Sequence, residues 1–297
     1  MSAELDARWE TIPTTSPVRD AVDVRILRDP RRDGRGVVLL CHGLGMGAST
    51  YDSLQRRWAN AGLIVVAPEF SDSLRHLATA LPDAAIDVDD ATAWMSDTTV
   101  VEHALALMFD EAQWAGRAED CLAVADHLQQ LAPTAHDGDR YVVVGHSYGA
   151  HTAQLVAGAR AQLTGGRRSF HDQRVVGAAV LSPQGSGERG LTSESWSKID
   201  IPWMVVSGEH DTAARGQGLE WRREAYDLTP PGGRQLVVAR GADHGLGGIA
   251  GSAPIYRDDA ALVTAMAALT LDFIDAALAG THLPVATDPA YFGSEWK

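Results

Sequence analysis

Residues 141–155 read YVVVGHSYGAHTAQL: an apolar run of strand character enters Gly145-His146-Ser147-Tyr148-Gly149 and leaves at once as an alanine-rich helix. A strand apolar at consecutive positions is buried on both faces, which places it inside a parallel sheet covered by helices. The rest of the chain repeats that alternation. Apolar, β-branched runs predict strands over 22–27, 37–41, 63–67, 141–144, 175–181, 203–207 and 235–239. Three-to-four spacing predicts helices over 51–61, 118–131, 148–162, 219–226 and 258–278, with Cys121, Leu122, Ala125, Leu128 and Leu131 sharing one face of the second. The expected fold class is therefore α/β, a mostly parallel central sheet with helices on both faces. No repeat and no low-complexity tract divides the 297 residues, so residues 1–297 are read as a single domain.

Composition removes several classes of function. With 45% hydrophobic and 22% charged residues the chain is that of an ordinary globular protein, and 25 Lys+Arg against 39 Asp+Glu give a net charge of −14. That charge repels phosphate backbones and anionic lipid, so neither nucleic acid nor a membrane is an expected partner. The N-terminal MSAELDARWE has no apolar core of a leader, and no run of about 18 apolar residues occurs, so the expected location is cytoplasmic. A chain whose leader had been removed would read the same way. Cys41 and Cys121 are too few for a disulfide framework, and Cys41 ends an apolar run where a free thiol packs as a small hydrophobe. Nothing in the pattern fixes an oligomeric state.

The chemistry starts at Ser147. A serine hydroxyl is a poor nucleophile unless a tight turn exposes it beside a base, with backbone N–H groups at a helix start ready to take negative charge. Gly-x-Ser-x-Gly between a strand and a helix meets those needs; the plainer reading is a glycine-assisted turn. Upstream, an apolar strand ends at His42-Gly43-Leu44-Gly45, the place from which such enzymes draw one oxyanion donor, so the N–H groups of Leu44 and Tyr148 form the expected oxyanion hole. Glycines 43, 45 and 47 also admit a phosphate loop, but this loop lacks the Gly-Lys-Ser/Thr ending and the Gly-x-Gly-x-x-Gly spacing.

The base is chosen by position among 11 histidines. Chain order in this architecture runs serine, acid, histidine, leaving His151, His171, His210, His244 and His282. His151 is fixed one turn along the elbow helix, and His282 follows the last helix; His244 sits in a glycine-flanked loop after a strand, at the sheet edge where ligands gather. The acid is Asp211, with Glu209 as fallback and Asp243 as a third candidate whose side chain points away from its neighbour. His210, Asp211, Asp243 and His244 also raise a metal reading, which no His-Glu-x-x-His or Cys-x-x-Cys supports. No metal and no cofactor are expected.

Residues 69–116 break the rhythm, separating a strand from the next firm helix by far more than the usual loop. This excursion leaves the sheet at the edge that carries Ser147 and His244, and is read as a lid or pocket wall rather than a plain surface elaboration. Its Trp94 and Trp114, together with His42 and Gly43, are the expected substrate contacts. A shorter loop, 184–197, follows the 175–181 strand.

The segments HGLG, a strand ending Ala67-Pro68, and GHSYGAHTA resemble the α/β-hydrolase superfamily from about residue 36 to 277, and within it the dienelactone hydrolase-related branch that includes platelet-activating-factor acetylhydrolase-like esterases. The resemblance implies a Ser147–His244–Asp211 triad, an oxyanion hole at Leu44 and Tyr148, a cofactor-free acyl-enzyme mechanism and carboxylic esters as substrates. Ser147 stands where dienelactone hydrolases carry cysteine. The expected function is hydrolysis of small to medium, apolar or aromatic esters, the partner being the small-molecule ester itself. An amidase, lactonase or C–C bond hydrolase uses the same triad, and a non-catalytic binding protein can use the same fold.

Overall fold

The computed structural model describes residues 4–90, 92–135, 139–251, 256–281, 284–285 and 287–297. In chain order the strands and helices are β1 (Asp6–Pro13), β2 (Ala21–Arg28), β3 (Val37–Cys41), α1 (Asp52–Asn60), β4 (Ile64–Glu69), α2 (Leu74–Ala80), α3 (Thr98–Phe109), α4 (Glu111–Asp126), α5 (Leu128–Leu131), β5 (Tyr141–His146), α6 (Tyr148–Val156), β6 (Arg160–Leu163), β7 (Gly166–Ser169), β8 (Val175–Leu181), β9 (Trp203–Gly208), α7 (Leu219–Arg222), α8 (Glu224–Asp227), β10 (Arg234–Ala239), α9 (Ala260–Leu278) and β11 (Phe292–Trp296). Among the described residues nine strands form one sheet in the order β1-β2-β4-β3-β5-β8-β9-β10-β11. Six neighbours, from β4 to β10, run parallel, and β1, β2 and β11 pair antiparallel at the two edges.

Period-two alternation decides which side chain enters which layer. Along β3, Val37, Leu39 and Cys41 join one core while Val38 and Leu40 join the other; β5 repeats this with Tyr141 and Val143 against Val142 and Val144. The first layer is closed by α4, α5 and α6, and the second by α1 and α9. Helix α9 is long and apolar enough by composition to span a bilayer; here it packs on α1 and β8, and its Thr270 Oγ1 accepts from Trp58 Nε1 at 3.2 Å. Buried Cys41 and Cys121 are free thiols, their sulfurs 3.7 Å apart.

Connections from β3 run toward β4, and those from β5 run toward β8. The sheet thus reverses its winding between β3 and β5, where open α/β sheets hold their ligands. The His42 loop and Ser147 leave the sheet at that point.

Several expectations need correction. Helix α6 ends at Val156 rather than 162, because Gly158 takes φ +114° and the chain enters the β6–β7 hairpin. The helix expected over 118–131 starts earlier, at Glu111, where Asp110 caps it by accepting the N–H groups of Ala112 and Gln113, and α5 follows as a separate short turn. The excursion therefore closes at Asp110, not Gly116. The 219–226 helix is two four-residue helices, and β11, not β10, is the last strand.

Candidate active site

The parallel strands deliver Ser147, Asp211 and His244 to one edge. Ser147 follows β5 at φ 54° and ψ −122°, a left-handed conformation that a non-glycine residue holds only when its surroundings force it. The backbone behind it is tightly apposed: a Cβ on Gly145 would run into the Gly149 carbonyl, and one on Gly149 into the carbonyls of Cys41 and His42. These two glycines let helix α6 start hard against β3.

Asp211 follows β9, and His244 follows β10. His244 Nε2 stands 2.8 Å from Ser147 Oγ, and its Nδ1 is 2.8 Å from Asp211 Oδ1. Asp211 is buried, and its second oxygen accepts from Ser207 Oγ at 3.2 Å. Burial pushes the Asp211 carboxyl up, but the hydrogen bond and charge of His244, with the Arg222 guanidinium, outweigh it and hold the group below the usual carboxylate range. The other acid candidates lie elsewhere: Glu209 accepts the Gly241 N–H, and Asp243 accepts those of Gly245 and Arg257. Exposed His210 does not join them, and among the described residues no group of three metal-binding side chains forms. His282 lies outside the described residues.

The glycine-rich loop uses its amides internally. Gly43 N–H donates to Tyr51 Oη, Gly45 to the Asp72 carbonyl, Met46 to the Gly43 carbonyl, Gly47 to Thr50 Oγ1 and Ala48 to Glu69. That leaves no phosphate cradle. Within 43–48 only Leu44 N–H is unclaimed among the described residues, and at the start of α6 the Tyr148 N–H is unclaimed as well.

Two networks hold this geometry, and neither was expected from the sequence. Tyr51 Oη, 3.0 Å from His146 Nδ1, accepts from Gly43 and so donates its own proton to that ring; His146 Nε2 then donates to the His244 carbonyl at 2.9 Å. Burial first, then the nearby His244, pushes His146 down to about 3, so it stays neutral. Three loops are thereby tied together. Behind them Arg117 of α4 donates to both oxygens of buried Asp72 at 2.8 Å, to Thr152 Oγ1 at 3.1 Å and to the His42 carbonyl. Its guanidinium lies between the Phe70 and Tyr148 rings, at 4.0 and 4.3 Å.

A cavity of about 420 Å³ opens over Ser147. Leu44, Met46, Trp94, Met95, Leu105 and Met108 form an apolar wall, most of it from the excursion, whose Leu74, Leu77, Trp94, Val100 and Ala104 make a small core of their own. Gln184, Glu188, Arg189, Arg215 and Gln217 add a polar lining, with Arg189 and Arg215 set against the Phe109 ring. Of the expected substrate contacts, Gly43 and Trp94 face the cavity. His42 does not: its Nδ1–H donates to the Gly43 carbonyl, its Nε2 accepts from Phe70 N–H, and burial with the Arg117 charge pushes its pKa well down. Nor does Trp114, which α4 carries into the main core edge-on to His151, ring centroids 5.5 Å apart.

No protein-family model matches the chain, and no curated protein matches it. Solved structures do match. One of them, a crystal structure named "Putative Dienelactone Hydrolase" from Klebsiella pneumoniae subsp. pneumoniae MGH 78578, superposes with a TM-score of 0.64 at 15% identity, covering 92% of this chain and 99% of the other. At that identity the likeness speaks for architecture, and this chain adopts the α/β-hydrolase fold.

Proposed function

We propose that this protein is a serine hydrolase of carboxylic esters. One observation carries the reading: Asp211, His244 and Ser147 form a continuous hydrogen-bonded line, 2.8 Å at each step, that ends in a cavity. With Nδ1–H donated to Asp211, Nε2 is left to accept the Ser147 proton as Oγ attacks the acyl carbonyl. The oxyanion that forms is received by the N–H groups of Leu44 and Tyr148, each worth about 3 kcal/mol to the transition state. His244 then returns its proton to the departing alkoxide, leaving the acyl group on Ser147. Water, deprotonated by the same ring, releases the acid.

The apolar wall of Trp94, Met95, Leu105 and Met108 supports a hydrocarbon or aromatic portion on the substrate, and the volume supports small to medium esters. The likeness to a protein named "Putative Dienelactone Hydrolase" agrees with hydrolase chemistry on this fold. The leaving group is tested by a matched panel of p-nitrophenyl esters, anilides and lactones. Ester turnover that falls by several orders of magnitude in both Ser147→Ala and His244→Ala, at unchanged circular dichroism, is the expected result. Undiminished turnover in Ser147→Ala would defeat the reading, and preferential anilide or lactone cleavage would replace its substrate class.

A further inference from the structure

Arg222, the last residue of α7, is a buried cation pressed against the proposed acid–base pair. Its Nη1 donates to the carbonyls of Ser182 and Pro183, both at 2.9 Å, which fixes the guanidinium beyond the end of β8. Its Nε lies 2.8 Å from Asp211 Oδ1, the oxygen that His244 Nδ1 also engages, and its Nη2 lies 3.1 Å from His244 Nδ1 itself.

We propose that Arg222 is a positioning residue that sets the tautomer and charge balance of His244: it shares Asp211 with the imidazole and stands as a fixed cation against the imidazolium. The inference rests on the serine hydrolase reading above. Guanidinium nitrogens only donate, so Nδ1 either donates to Asp211 or accepts from Arg222, never both. In the first arrangement Nε2 is free to take the Ser147 proton. In the second the ring's proton sits on Nε2, and the ring cannot act as base toward Ser147. The Asp211 carboxylate favours the first, and Arg222 is what the ring turns to when that charge is missing.

The same placement sets a fixed positive charge beside the ring. Around His244 stand Asp211 after β9, His146 of β5, Tyr256 and, in its own loop, Asp243, whose carboxylate is turned to backbone amides; Glu188 and Arg189 lie further along the cavity wall. His146 and Tyr256 are neutral near pH 7, burial being the largest cause of both shifts. Among the described residues Arg222 is the cation that reaches Nδ1.

The test is the second-order rate at which a fluorophosphonate labels Ser147 in the full chain, followed from acid to neutral pH. In Arg222→Gln, whose amide nitrogen reaches only to the place of Nε and carries no charge, the acid limb moves up by about one pH unit, and Arg222→Lys moves it back. Should the Gln variant not fold, Arg222→Met is read in the same way. Asp211→Asn lowers the plateau rate by about 10⁴-fold, and adding Arg222→Gln to it restores at least about tenfold, because Nδ1 is released from the competing donor. An unmoved limb, or a double variant slower than Asp211→Asn alone, overturns the proposal and leaves Arg222 a structural brace. Failure of Ser147 to label in the unmutated protein overturns the hydrolase reading instead.

Discussion

Asp72→Asn should be among the most damaging single-atom changes in this protein. Arg117 and Asp72 are each 1% exposed, so their ion pair has no solvent to fall back on. Both carboxylate oxygens accept from Arg117 Nη1 at 2.8 Å, and the amide replaces one of them by a donor facing a donor. Removing one partner of a buried pair leaves the other charge uncompensated, which costs about 3–5 kcal/mol. Because the amide still offers one acceptor, the lower end of that range is expected, a large share of a typical stability of about 5–15 kcal/mol. Urea unfolding at pH 7 reads the loss. Arg117→Met strands the Asp72 carboxylate and should cost as much, whereas the double variant should cost about 2–3 kcal/mol less than the two singles summed. Under native conditions Asp72→Asn should also lower kcat more than it changes KM. The Asp72 carbonyl holds Gly45 N–H and Arg117 holds the His42 carbonyl, so the pair fixes both flanks of Leu44. A loss below about 1 kcal/mol, or strictly additive costs, would refute the view that the pair compensates a buried charge.

Stability should fall in mild acid. His42, His146 and His151 are buried and held neutral, with His146 and His151 pushed down to about 3, burial being the largest cause in each. Below about pH 6.5 the unfolded chain binds protons that the folded one refuses, so stability drops as pH falls, by up to about 1.4 kcal/mol per pH unit for each ring. The urea midpoint should decline between pH 6.5 and 4.5, and His151→Gln should flatten that slope; a midpoint constant over the range would contradict it. Trp94→Ala should lower kcat/KM for long or aromatic acyl esters by about 1–3 kcal/mol and least for acetate, since Trp94 lines the cavity. Trp114→Ala should instead cost about 3–5 kcal/mol of folding stability with selectivity unchanged, because its ring lies in the core. Equal selectivity profiles for the two variants would remove the distinction.

What the sequence shows and what it hides follow from local and non-local causes. The inner strands β3, β5, β8 and β9 are apolar at most positions, and β10 from Leu236 on, because helices cover both faces, and such runs are unmistakable. The edges carry no such run. Strand β1 alternates exposed with half-buried residues through DARWETIP and buries only Ile12, and β11 buries only Phe292, so each depends on a neighbour supplied by distant chain. Gly158 was the legible stop signal for α6, and Asp110 the legible cap of α4, but alanine-rich periodicity on either side masked both. Ser147, Asp211 and His244 could be named in advance because each sits just beyond a strand's C-terminal end. His146 lay inside the elbow motif itself, and its bonds to Tyr51 and to the His244 carbonyl could have been suspected only from the fold. Arg222 and Arg117 left no trace, since what defines them is the carboxylate each meets across the structure. Trp114 misled because the excursion closes earlier than its loop-like composition suggests.

In the proposed reaction Ser147 carries the acyl group in a covalent intermediate. Rapid acid quench of the protein during turnover of p-nitrophenyl acetate, followed by mass spectrometry of the Ser147 peptide, tests it directly. An acetyl adduct on Ser147 is expected that forms with the burst of p-nitrophenol, is absent in Ser147→Ala and forms orders of magnitude more slowly in His244→Ala. Turnover without an adduct, or an adduct on another residue, would contradict it.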